Sequence, residues 1–408
     1  MAKSKPSIQN SIQTDHLKLI ITILIIGTIS AIIYSYSRFA FIGNYAPRFD
    51  GFVHPATSIF CDFYAIFAYY PSLGYGIQTN YFPGIFAALK TVQILGLGNP
   101  YYAVQYLLAF YLLFLISYLW ISLSPIRTLD RVLGVFALIA CNYPVLFTFH
   151  TANFELLCFL LVAYAFFLSD RNRINGAASL IGIAATIKLY PILFLAPLIT
   201  KKNWFRIGLV GSASFIVFSF LSFCLGGNPF DNFQTWLTTT RKGMAFYSDM
   251  MVYSYNGTYF GHSILNAIRT VTGPAWDIKP IFPAYYFIAA IFVLLGIAAC
   301  LNAKQLWIKT LLIACVLSLF PATSQDYKLL YYMIPLLQLM KMPAENFKVK
   351  AFMILICLLL IPKTYFYFHG NIFNNANSIL NAAIIAILYC SALFMTLKNR
   401  DLTDQVKN

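Results

Sequence analysis

Long apolar runs broken by short polar stretches set the pattern of this chain. Runs long enough to cross a bilayer fall near 17–37, 102–123, 131–149, 153–169, 206–225, 281–301, 306–321, 350–368 and 378–397. A helical crossing takes about 17–25 residues at a rise of about 1.5 Å each. Shorter apolar runs lie near 174–188, 189–200 and 327–340. The stretch 174–200 is long for one crossing and short for two, and Lys188, Tyr190 and Pro191 interrupt it. It predicts two half-helices meeting near residues 188–191, with irregular backbone that needs a cavity lined by protein or water. Residues 82–95, which follow Pro and Gly and contain Lys90, predict a helix lying along the membrane surface. The first run is too long and too uniformly apolar for a signal-peptide core, so it is read as a retained first span.

Composition sharpens this picture. Of 408 residues, 60% are hydrophobic, 17% aromatic and only 10% charged, where a soluble domain carries about 25% charged residues. The expected fold is an all-α polytopic membrane protein with about 11–13 spans. It forms one domain over 1–408, with long loops at 38–101 and 226–280 and a short tail at 398–408. Interfacial helices belong in the first loop.

The net charge of +15 is a topology signal and not a sign of nucleic-acid binding. With the N-terminus inside, the inner side holds 18 of the 28 basic residues and six of the 13 acids, a net +12. The outer side nets +3 despite its longer loops, which agrees with the positive-inside rule. The eight cysteines show no CxxC spacing, and seven lie in apolar segments, so neither a disulfide framework nor a zinc site is expected. No acidic pair has ligand spacing for a hard metal, and no cofactor is implied.

The candidate chemistry lies where polar residues interrupt apolar sequence on the outer side. An ammonium at mid-membrane costs roughly 2.5–3.5 kcal/mol on insertion scales. Lys188 is therefore either paired inside the protein, with Glu155 or Asp326 as candidate acids, or lines a wet cavity that binds an anion. Asp62 opens the aromatic segment CDFYAIFAYY, which would hold its carboxylate just above the bilayer as a base toward a hydroxyl. Asp50 competes for that role, and a solvated loop acid is the plain alternative. In HTANFELL, Asn153 and Glu155 stand at a helix start, where capping and the helix dipole also explain them. Asp326 and Lys328 interrupt a tight outer turn in PATSQDYK, where mutual compensation competes with phosphate recognition. His262, Ser263 and Arg269 in the second long loop are candidate sugar or phosphate contacts. No P-loop, HExxH, GxSxG or dinucleotide-binding motif occurs, so a substrate would arrive from the bilayer.

Four stretches together resemble the GT-C glycosyltransferases, and more narrowly glycosyltransferase family 87, the polyprenol-phosphate-mannose-dependent α-mannosyltransferases. They are Asp62 with Tyr81-Phe82-Pro83, the Thr-Ala-Asn turn ending at Asn153, Gly182 to Pro191, and Ser324-x-Asp326-Tyr327-Lys328. The chain departs from the family in having His150-Thr-Ala-Asn153 in place of Gly-Gln-x-Asn, and Asp326-Tyr327-Lys328 in place of Trp-x-His. The resemblance implies a GT-C helical core with its site on the outer face of a bacterial inner membrane, toward the periplasm. The partners would be membrane lipids, a polyprenyl-phosphate sugar donor, and a lipid or glycan acceptor. Asp62 would be the base, and Lys188, Lys328 and Arg269 would hold the donor phosphate. Tyr64, Asn153, Glu155, Tyr190, His262, Asp326 and Tyr327 would contact sugar or acceptor. A secondary transporter or a lipid or glycan flippase is the competing reading; no repeated halves are visible.

Overall fold

A computed structural model describes residues 5–42, 60–67, 81–124, 126–225, 228–275, 277–343, 346–363, 367–368 and 371–398. Asp50 and the stretches 43–59 and 68–80 of the first long loop, with nearly all of the C-terminal tail, lie outside the described residues. The architecture is helical, as expected for a multi-pass membrane protein, with one two-stranded antiparallel ribbon pairing Tyr367–Phe368 with Asn371–Asn375. Five described helices are long and apolar enough to span, including Pro100–Ser122, Trp204–Cys224 and Ala376–Leu397. A sixth candidate is the pair Thr128–Ala140 and Tyr143–Thr151, bent by 55° at the break. By length and composition this count is lower than the 11–13 spans expected, since apolar runs such as 306–321 and 350–368 form the shorter helices Leu306–Leu319 and Phe347–Leu360.

The chain divides into two compact units. One comprises Thr57–Tyr118 and Thr148–Ser254. Its centre is Ile174–Ile187, which packs against Glu155–Asp170 on one side and Trp204–Cys224 on the other. The tight link before Ile174 is made by Asn172 at φ 61°, a left-handed conformation that asparagine tolerates better than most residues. Gly182 faces the carbonyl of Gly211 so closely that a Cβ there would lie 2.3 Å from the oxygen. A side chain at Gly182 would push the two helices apart, and one at Gly211 would meet Leu195 at 2.7 Å. The Ser179 and Ser214 hydroxyls bond at 2.8 Å across the same seam.

Ile174–Ile187 stops at Lys188, whose backbone is extended (φ −136°, ψ 134°). A 3-10 helix then runs over Tyr190–Leu198, with prolines at 191 and 197. Proline offers no N–H to continue an α-helix, and the residue before it is pushed out of the α region. The break thus falls where Lys188, Tyr190 and Pro191 interrupt the apolar pattern.

The other unit comprises Met1–Ala56, Leu119–Phe147 and Tyr255–Asn408. Its core helix is Leu306–Leu319, buried at every position from Trp307 onward and surrounded by Phe282–Asn302, Met333–Leu339 and Ala376–Leu397. A helix apolar on all sides belongs in such an interior. Lys5–Ile42 packs on Thr128–Ala140 and Phe347–Leu360. The short helix Ile264–Thr272 starts at Ser263, whose hydroxyl accepts the Asn266 N–H, and ends at Gly273 with φ 85°.

Candidate functional site

In the unit built around Ile174–Ile187, four separate segments bring their polar side chains together. Asp62 is the second residue of the helix Cys61–Phe67. Phe60 before it is left-handed at φ 56°, and its N–H donates to the His150 carbonyl at 2.7 Å. Asn153 follows Ala152, left-handed at φ 50°, and its own N–H donates to Thr148 O at 3.1 Å. Such backbone costs about 1 kcal/mol or more for a residue with a Cβ and persists only where the surroundings hold it. Here both turns are held by backbone hydrogen bonds and by Phe154 stacking on Phe63 at 6.5 Å.

These turns aim the side chains at one another. Asn153 Nδ2 donates to Asp62 Oδ2 at 2.7 Å. Asn153 Oδ1 accepts the Glu155 backbone N–H at 2.8 Å, satisfying a free donor of the first turn from just before the N-cap residue Phe154. The same oxygen accepts from Lys188 Nζ at 3.1 Å. Lys188 Nζ also meets Glu155 Oε2 at 2.8 Å, with the lysine side chain 11% exposed and the glutamate fully buried. The Tyr190 hydroxyl donates to that same Glu155 oxygen. The Tyr81 ring lies 5.1 Å from the ammonium, within cation–π range. Lys188 thus has an acid partner, Glu155, one of the two acids the sequence offered.

Asp62 itself is half-buried. Its second oxygen, Oδ1, meets the Cys61 thiol at 3.8 Å. Burial, reinforced by the Asp62 charge, pushes that thiol up to about 12, so at neutral pH it is a protonated, weak donor. Tyr64 is also half-buried, its ring edge-on to Tyr101 at 6.2 Å. The Tyr111 hydroxyl is fully buried, has no hydrogen-bond partner among the described residues and lies within electrostatic reach of Tyr81, Lys188 and Glu155.

The remaining candidates lie in the other unit. Asp326 begins the 3-10 helix Asp326–Tyr332, its N–H donating to the Phe260 carbonyl at 2.9 Å. Phe260 is a third left-handed residue, at φ 53°. Tyr143 donates to Asp326 Oδ2 at 2.9 Å, and His262 Nδ1 pairs with Asp326 Oδ1 at 2.9 Å. His262 Nε2 lies 3.2 Å from the Ser324 hydroxyl. Asp326 and His262 are both fully buried. Burial lowers the His262 imidazole below its ordinary value, opposed by its bond to Asp326 and that carboxylate's charge. A neutral ring then donates from Nδ1 and accepts at Nε2, which satisfies both contacts.

Expected as sugar contacts, Asp326 and His262 therefore bond within the protein and brace the turn that carries Tyr327 and Lys328. Tyr327 stacks on Phe147 at 6.4 Å, and Lys328 is half-buried. Arg269 is buried on Ile264–Thr272, and that burial draws its guanidinium below the ordinary value.

Several polar groups escaped the sequence reading. Tyr143 is foreshadowed only by the Cys-Asn-Tyr-Pro interruption of an apolar run. Lys363 is a buried lysine whose ammonium donates to the Leu358 and Ile361 carbonyls, and the criterion that singled out Lys188 would have found it. Tyr111 leaves no signal in an aromatic-rich span. No cluster of three or more His, Cys, Asp or Glu that could hold a metal occurs among the described residues.

The apolar helices, with a buried Lys188–Glu155 ion pair and a buried His262–Asp326 bond, define a multi-pass membrane protein with candidate chemistry in polar turns. The chain belongs to glycosyltransferase family 87, whose model matches residues 80–322. The match covers Tyr81, Asn153, Glu155, Lys188, Tyr190, His262 and Arg269, and leaves out Asp62 and the turn at Asp326. No curated protein and no solved structure matches the chain.

Proposed function

We propose that this glycosyltransferase takes its sugar, a hexose of the mannose type, from a polyprenyl-phosphate donor in the bilayer. The acceptor is a hydroxyl of a membrane lipid or glycan, and the site faces outward, on the periplasmic side of a bacterial inner membrane. The acceptor oxygen attacks the anomeric carbon while the bond from that carbon to the phosphate oxygen breaks, with inversion. The acceptor proton passes to Asp62, and polyprenyl phosphate leaves as the anion.

The observation that supports this reading is the Asp62 carboxylate, half-buried and bonded through one oxygen to the amide that also accepts from Lys188. A base needs a fixed carboxylate with reach to a hydroxyl, and a departing phosphate needs a cation in a low-dielectric setting. In the free protein Glu155 holds Lys188; in the donor complex the phosphate takes that place, while Tyr190 continues to donate to Glu155. The proposal for Lys328 and Arg269 as phosphate contacts, and for Tyr64 and Tyr327 as sugar or acceptor contacts, rests on sequence alone.

The test is transfer from a radiolabelled polyprenyl-phosphate mannose into the lipid and glycan fractions of membranes containing the full chain. Asp62→Asn should lower transfer by about 100-fold or more, the effect of losing a positioned general base, while donor binding persists. Near-normal turnover in Asp62→Asn would remove Asp62 from the role, and loss in Asp50→Asn would pass it to that residue.

A further inference from the structure

An asparagine side chain presents one acceptor oxygen and one amino group with two hydrogens. In Asn153 the oxygen receives both the Glu155 N–H at 2.8 Å and Lys188 Nζ at 3.1 Å. A backbone amide and an ammonium can only donate, so the ends of this carboxamide cannot be exchanged. The amino end must therefore be the one facing Asp62, where Nδ2 lies 2.7 Å from Oδ2. Asn153 is almost fully buried, and backbone bonds fix its turn and the Phe60 turn beside Asp62.

We propose that Asn153 is the positioning residue of the reaction: its amide pins Asp62 Oδ2 and so selects Oδ1 as the oxygen that takes the acceptor proton. This rests on the reading of Asp62 as the base. It departs from the sequence expectation that Asn153 contacts sugar, because the acceptor end of its amide is occupied by two protein donors. It also ties the base to Lys188 through a single side chain. A shift of the lysine toward a donor phosphate would be felt at the carboxylate.

Two substitutions separate positioning from a structural role. Asn153→Asp is nearly isosteric. It keeps an oxygen for the Glu155 N–H and Lys188 but replaces the donor to Asp62 with a second carboxylate oxygen. Asn153→Ser keeps an oxygen for the Glu155 N–H but is too short to bridge to Asp62. In transfer assays with polyprenyl-phosphate mannose on the full chain in membranes, both should lose about 10- to 100-fold in kcat at neutral pH. Donor KM should change far less.

Only Asn153→Asp should regain activity on acidification. Two facing carboxylates share one proton readily, and that proton restores the missing hydrogen bond. Among the described residues, the charged and titratable groups around Asp62 include Cys61 and Tyr64 on its own helix, Tyr81 before Gly84–Leu95, Glu155 at its helix start and Lys188 at the break. All are retained in both variants, so the difference between their pH profiles reports on position 153.

Wild-type turnover and pH profile in Asn153→Asp would overturn the proposal. So would a raised donor KM with unchanged kcat, which would make Asn153 a sugar contact. If Asn153→Asp fails to accumulate, the kcat of Asn153→Ser decides alone: a loss supports the proposal and a normal value ends it. Full activity of Asp62→Asn would instead defeat the assignment of the base.

Discussion

The Lys188 ammonium and the Glu155 carboxylate meet at 2.8 Å across the break in the apolar stretch 174–200. A buried pair of this kind is costly to split, because the survivor is left as an uncompensated charge. Lys188→Met should therefore destabilise the protein by about 3–5 kcal/mol. Lys188→Met combined with Glu155→Gln should recover most of that loss, since no buried charge remains. Thermal unfolding of the two variants beside wild type checks this, and equal melting temperatures would show that the pair contributes nothing.

Helix packing at Gly182 gives a second prediction. A methyl group there would meet the Gly211 carbonyl at 2.3 Å, a backbone atom that cannot rotate away. Gly182→Ala should cost about 1–3 kcal/mol, the usual range for overpacking. Gly208→Ala, with nothing within 4 Å of the added carbon, should be neutral or gain about 0.5–1 kcal/mol from higher helix propensity. Denaturant or thermal unfolding in detergent measures both, and an inverted order would refute the seam.

His262 brings a pH dependence. Burial lowers its folded value below the ordinary 6.5, so the unfolded chain binds the proton more tightly. The stability it contributes is full above about pH 6.5 and is lost as pH falls toward the lower folded value. Melting temperature should drop between pH 7 and pH 5 more steeply in wild type than in His262→Asn, which keeps a donor toward Asp326. Parallel curves would show that His262 binds its proton equally well folded and unfolded, so that burial does not lower its value.

Orientation is testable by labelling. A cysteine at Asp277, exposed in the second long loop, should react with an impermeant thiol reagent added to intact cells. A cysteine at Lys202, exposed beside the break after Leu198, should not. The net charges of +12 and +3 motivate this expectation. Labelling of position 202 from outside would reverse the topology and the placement of the site with it.

The sequence made some of these features visible because they violate its own pattern. A lysine and a proline inside an apolar run announce a helix break wherever the partners lie, and the need to compensate a buried charge named Glu155 as one of two acids. Asn153 was readable as an acceptor at a helix start, since that bond is local. Its bridge from Lys188 to Asp62 was not, because it depends on two left-handed turns, at Phe60 and Ala152, that nothing in their residue types foretells. Asp326 and His262 sit in polar loop sequence, which carries no sign that they are buried. Their full burial arises from tertiary contacts with Tyr143 and Ser324. The number of long single helices was not legible for a related reason: hydropathy measures apolar length but does not show where a helix stops.

The brevity of Ile174–Ile187 also bears on what the segment needs from its neighbours. Its 14 residues cover about 21 Å, well under the roughly 30 Å hydrocarbon thickness. The following 3-10 helix carries two prolines and poorer hydrogen bonds, so the segment cannot rest in lipid by itself. Its glycine seam is completed only by Trp204–Cys224. The segment is therefore fully covered only when Trp204–Cys224 is packed against it, so the buried place of Lys188 depends on chain that follows it in sequence.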